Sequence, residues 1–186
     1  MPQPYSAAQR LLHWLTAVMI AALLILGFWM TERSGANIWD ALTNTLYAWH
    51  KLIGFLVIFL TALRLIVKFR STRPPYPPSV SPGIIKLAAA GHGVLYLLLL
   101  LVPLLGWAGV TAYPALITVG GYNLPAMPGI PKDQALAKQL FEIHGNLAIV
   151  LAVLALGHIA AALHHLLVKK DGVFQRMWCQ RSNPKG

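Results

Sequence analysis

The chain has 186 residues, of which 57% are hydrophobic and only 11% charged, with a formal net charge of +10. Soluble domains carry ~25% charged residues, and uncharged runs over 11–31, 52–63, 87–131 and 143–168 are too long for a soluble core of this size, so the composition points to a membrane protein with several spans. The basic residues sit between these runs rather than over a polar surface, which argues against nucleic-acid binding, and the single Cys179 excludes an internal disulfide, a zinc ribbon and a C-x-x-C-H haem attachment.

The first span is predicted over 11–31. Ser6 and Gln9 have the S-x-x-Q form of a capping box, so its helix is expected to start near Ala7. His13 then falls in the second turn, and Trp14 and Trp29 flank the span as interfacial aromatics do. The segment is longer than a signal-peptide apolar region, is preceded only by Arg10 and lacks an A-x-A-like cleavage site. A polar connection over 32–45 follows, with Ser34 and Gly35 suited to a turn.

The second span, 47–67, has His50 near its start and Arg64 fourteen residues later, on nearly the same face. An arginine inside a span is costly unless it snorkels or meets an anion. Two readings of Arg64 therefore stand, an interfacial side chain or the partner of a haem propionate. Prolines through 71–83 exclude helix and favour an extended linker. The third span, 87–111, carries His92 and Pro103, which removes one backbone hydrogen bond and is expected to kink the helix. The loop 112–131 is rich in Gly and Pro, a short helical patch is expected from Asp133, and the fourth span covers 140–168 before a basic tail, 169–186.

The fold class is therefore all-α, an integral membrane four-helix bundle forming one domain. The N-terminus, the linker after span two and the tail hold eleven of the fifteen Lys and Arg, whereas the other two loops hold Arg33, Lys51, Lys132 and Lys138. Positive-inside reasoning then puts both termini in the cytoplasm. The four basic residues of the outer loops could draw in an anionic donor, although Glu32, Asp40, Asp133 and Glu142 match them.

This topology gives each histidine a depth. His144 and His158 are fourteen residues apart, hence ~21 Å along the helix and within ~40° of one face. His50 falls at the level of His144 near the outer side, and His13 at the level of His158 near the inner side. Neutral imidazoles in facing helices suit a low-spin iron with two axial ligands. The sequence thus predicts two non-covalent b haems, ligated by His50 and His144 outside and by His13 and His158 inside. His165 is seven residues beyond His158, within ~20° of the same stripe but ~31 Å from His144, too near the headgroups to be preferred as a ligand. His165 and His92 are candidates for a quinone or proton-transfer site, or are simply interfacial polar residues.

The motifs AQRLLHW around His13, WHKLIGFLVIFLTALRLIVKF with His50 and Arg64, GHGVLYLLLLLVPLLGW around His92, and IHGNLAIVLAVLALGHIAAALHHLLVKKDGVFQRM together resemble the bacterial cytochrome b561 family, four-helix di-haem membrane cytochromes, from Tyr5 to about Met177. The resemblance implies the same four axial histidines, electron exchange with ubiquinone and, within the family, oxidation of superoxide. The His164–His165 doublet lies one residue closer to His158 than the family pattern suggests, so either member could serve a quinone site.

The function expected is electron transfer between an outer-face donor and the quinone pool, an oxidoreductase activity if superoxide is that donor. Two alternatives differ in class. One is a haem-bearing membrane anchor for a hydrogenase or dehydrogenase. The other is a divalent-metal transporter, which would want carboxylates beside the intramembrane histidines, and only Glu142 at the edge beside His144 qualifies.

Overall fold

Backbone polar groups in hydrocarbon have no water to bond, so a spanning segment must close its hydrogen bonds internally. The computed structural model of the protein describes residues 3–178 and shows the helical solution: α1 (Ala7–Gly35), α2 (Ala41–Arg70), α3 (Pro82–Ala112) and α4 (Gln134–His164). Each contains an 18-residue window of mean hydropathy 2.2 or 2.3, long and apolar enough to cross a membrane. Large apolar side chains such as Leu11, Ile25, Phe59, Leu97 and Leu156 are exposed around the outside, as in helices whose solvent is lipid. Cys179, Arg181 and Lys185 lie outside the described residues.

Local signals set the helix ends. Ser6 and Gln9 form the reciprocal capping box, with bonds of 3.2 and 3.1 Å. The polar connection expected over 32–45 contracts to 36–40, because charge and hydroxyl contacts hold the flanking residues helical. Asp40 caps α2 by accepting from the Thr43 N–H at 2.9 Å, and Arg33 bridges from α1 to Thr43 Oγ1 at 2.9 Å and to Asp40 at 2.5 Å. The Thr43 cap bond and the Arg33 guanidinium hold the Asp40 carboxyl well below its usual range, at about 2. α3 begins at Pro82, where a missing N–H costs nothing, and runs unbroken through Pro103 to Ala112. Asp133 caps α4 through the Ala135 and Leu136 N–H groups, so the expected patch at Asp133 is the start of α4 itself.

Sequential helices pack pairwise, α1 on α2, α2 on α3 and α3 on α4, while α4 stands off α1 and α2. Leu98, Leu99, Val102 and Leu151 form the central core, joined by Ile20, Leu147 and Leu154. Nearer the loop end, a Cβ added at Gly109 would lie 2.5 Å from the Phe141 ring. Gly109→Ala therefore gains helix propensity but overpacks α3 against α4, at a typical cost of about 1–3 kcal/mol. A fall of several degrees in the melting temperature of the purified protein is expected; an unchanged or raised value would contradict this packing.

At the end where α1 begins, α4 continues as a π turn, His165–Lys169, closed by a left-handed Lys170. The segment after it folds beneath α1: the Trp14 indole donates to the Met177 carbonyl at 2.8 Å, Arg10 to that of Trp178 at 3.1 Å, and the buried Arg176 to that of Pro75. The opposite end is covered by the loop before α4. Lys51 donates to the carbonyls of Ala115 and Ile117, and Trp107 to that of Pro125 at 2.7 Å.

Candidate functional site

The interval between α4 and the α1–α2 pair is where the histidines gather. Toward the loop end, the His50 and His144 rings have centroids 6.1 Å apart at 80°. A carbonyl can only accept, so His144 Nδ1 donates to the Val102 carbonyl at 2.8 Å and Nε2 keeps its lone pair. Nδ1 of His50 is buried and has no hydrogen-bond partner. Two glycines seat these rings. A Cβ at Gly106 would stand 3.1 Å from His144, and one at Gly27 would stand 3.3 Å from His50.

Toward the terminal end, His13 and His158 repeat the 6.1 Å separation, at 62°. His92 joins them, with its centroid 5.3 Å from that of His158, and donates from Nδ1 to the Ala88 carbonyl at 2.5 Å. Arg64 lies inside this group, with Nη2 3.3 Å from His13 Nδ1 and the guanidinium 5.3 Å from the Tyr96 ring centre. Lys68 sits over the other side of the same site, 4.4 Å from that ring centre. Among the described residues Arg64 has no carboxylate partner. Leu151 lies midway along α4 between His144 and His158, so the apolar core separates the two levels.

The doublet divides. His164 is exposed, whereas His165 turns inward and bonds Asp171 at 2.7 Å. Among the described residues no three His, Cys, Asp or Glu side chains, the His13, His92 and His158 rings included, are placed to hold one metal ion together. Of the four cations expected in the outer loops, Arg33 and Lys51 are already tied to Asp40 and to loop carbonyls.

Sequence reasoning missed Gly27, Gly106 and Asp171. The glycines had a readable signal, since Gly27 is fourteen residues past His13 and Gly106 fourteen past His92. Each of the four helices therefore marks both levels with the same interval, the other two being His50 to Arg64 and His144 to His158. Asp171 had none, because it reaches His165 only through the π turn.

An all-helical membrane bundle with imidazoles facing one another across its interior is the architecture of a membrane-bound cytochrome. The family model described as Prokaryotic cytochrome b561 matches residues 4–179, and the chain belongs to that family. It is 32% identical to cytochrome b561 homolog 2 of Escherichia coli K12 over all of this chain and 96% of that protein. It is 29% identical to the probable superoxide oxidase CybB of Yersinia pestis, over 95% and 97% of the two chains. Cytochrome b562 of Cereibacter sphaeroides is 32% identical over 93% of this chain and 94% of its own. Membership makes the chain a multi-pass bacterial membrane protein of haem-based electron transport.

Proposed function

We propose that the protein is a di-haem electron carrier of the bacterial inner membrane, with both termini cytoplasmic, that takes electrons from superoxide at the outer face and passes them to ubiquinone. The observation that carries this reading is the repeated separation of 6.1 Å between His50 and His144 and between His13 and His158. Two imidazoles sharing one metal ion, at about 2 Å per metal–nitrogen bond, have ring centres roughly 6 Å apart. The donor sets fit b haem: His144 presents a free Nε2, His50 has an unsatisfied buried nitrogen, and glycines leave room beside both rings. The His13–His158 separation repeats that of the His50–His144 pair, whereas His92 stands at 5.3 Å from His158, which supports His13 as the inner partner.

Haem, when bound, supplies reversible one-electron chemistry, while the protein supplies orientation and electrostatics. His13 holds its proton on Nε2 while Nδ1 accepts from Arg64. His13 would hold iron through Nε2 with its proton on Nδ1, where it no longer accepts from Arg64, and the guanidinium would then be free for an anionic group such as a propionate. Two superoxide ions each lose one electron to become dioxygen, and one quinone gains two electrons and two protons to become quinol. His165 and His92, at the inner level, are the candidates for the quinone site.

Superoxide is the donor favoured by the relative named as a probable superoxide oxidase. The purified chain is expected to show a reduced b-type α-band with about two haems per chain and, without other proteins, to reduce ubiquinone when superoxide is generated. Well-folded protein lacking haem would overturn the reading. Haems that superoxide leaves oxidised would remove that donor.

A further inference from the structure

We propose that Asp171 is a positioning residue for His165, and that the two form the proton-delivering end of the quinone site, in a groove between the start of α3 and the end of α4. The inference rests on the quinone reading above. It comes from three features that meet at one place.

The first is the hydrogen bond. Asp171 Oδ2 lies 2.7 Å from His165 Nδ1, and Oδ1 accepts from the Val173 N–H at 3.2 Å. The carboxylate side chain is 7% exposed and the imidazole 20%. An ionised carboxylate only accepts, so Nδ1 carries hydrogen and Nε2 is the ring atom left to exchange a proton. Desolvation pushes the Asp171 carboxyl up, but the bonds from His165 and the Val173 N–H outweigh it and hold it below its usual range. Asp171 is thus an anion at neutral pH, able to balance the positive charge of the ring while it holds a second proton. The same logic orients catalytic histidines elsewhere.

The second feature is the backbone. An α-helix continued past His164 would carry Asp171 away along the axis, since residues six apart lie ~240° apart around a helix. The π turn His165–Lys169 and the left-handed Lys170, whose N–H returns to the His165 carbonyl at 2.8 Å, fold the chain back instead.

The third is the space. A groove of about 240 Å³ is lined by Ser79, Ser81, Ile84, His165, Lys169 and Asp171. Ser81 precedes α3 and makes no side-chain cap bond, so its hydroxyl is available to a ligand. The polar and titratable residues around the His165–Asp171 pair are Ser79, Ser81 and Lys169, which line the same groove, and the neighbouring His164, whose ring is 6.2 Å from that of His165. His165 is one turn-and-face repeat from His158, ~10 Å along α4, so the groove adjoins the inner level while opening at the end where α1 begins.

The step balances as follows. As each electron arrives from the inner haem, the Nε2–H bond of the protonated ring breaks and an O–H bond forms at a quinone oxygen. Groove water reprotonates the ring, and two such cycles convert quinone to quinol.

Asp171→Asn tests the assignment. Asparagine offers one acceptor where aspartate offers two; if it keeps the Val173 bond, its amide N–H₂ faces Nδ1 and forces the proton to Nε2. Ring ¹⁵N spectra of His165 in oxidised, quinone-free protein are expected to show the proton on Nδ1 in wild type and on Nε2 in the variant. The haem content and α-band are expected to be unchanged, with kcat for quinone reduction at least tenfold lower and KM within about threefold. Asp171→Glu should restore part of kcat, and Asp171→Asn should cost nothing further in a His165→Gln background. Wild-type tautomer and kcat in Asp171→Asn would overturn the proposal alone. A wild-type protein that binds haem but never reduces quinone would overturn the quinone reading and the relay with it. If Asp171→Asn fails to assemble, additive losses of Asp171→Glu and His165→Gln would overturn the proposal, and non-additive losses would support it.

Discussion

His50→Ala is expected to leave about one haem per chain instead of two, with the remaining spectrum that of the inner centre. His158→Ala should give the converse, losing the inner haem and keeping the outer. The effect is large because the proposed outer iron would have no nearby replacement ligand at the loop-end level, where His50 and His144 are the two rings that meet. The terminal-end level differs in having a third ring, His92, 5.3 Å from His158. Haem quantitation with low-temperature α-band spectra separates the cases. Full retention of both haems in His158→Ala would transfer the inner ligation to His92 or His165. Full retention in His50→Ala would end the two-level reading.

Gly106→Val is expected to remove most of the outer haem without touching a ligand. The added Cβ alone would lie 3.1 Å from both Cε1 and Nδ1 of His144, closer than carbon and nitrogen pack without displacement, and two further methyl groups follow it. The ring must turn, and turning breaks its 2.8 Å bond to the Val102 carbonyl, the contact that sets which nitrogen faces His50. Partners of this kind are typically worth 10–100-fold in metal affinity. Gly106→Ala should give an intermediate result, with a shifted outer α-band and partial occupancy. Because the inner level is ~21 Å away along α4 and separated by the Leu151 core, its haem serves as the folding control. A wild-type spectrum in Gly106→Val would mean that His144 binds in another orientation.

Much of this was readable from residue order. Four apolar runs, a proline-rich break and fourteen-residue intervals between polar positions survive translation into structure because a membrane helix has a fixed rise and a fixed angular step. The places where expectation and structure part are the helix ends. The expected connection over 32–45 shortened because Arg33, Asp40 and Thr43 bond one another across the turn, a relation between two helices that no single window of sequence contains. The neighbours of Arg64 were visible only in three dimensions, where its guanidinium meets His13 and Tyr96.

Hydrophobic periodicity and spacing alone determined that this chain is a four-helix membrane bundle and that its histidines lie at two levels, since both follow from rise per residue and from the cost of unbonded polar groups in hydrocarbon. Which rings face each other, how closely, and what else stands beside them was decided by packing between helices. The glycines at 27 and 106, the third ring of His92 and the reach of Asp171 to His165 depend on helix rotation and on a backbone turn, quantities that only the assembled tertiary structure specifies.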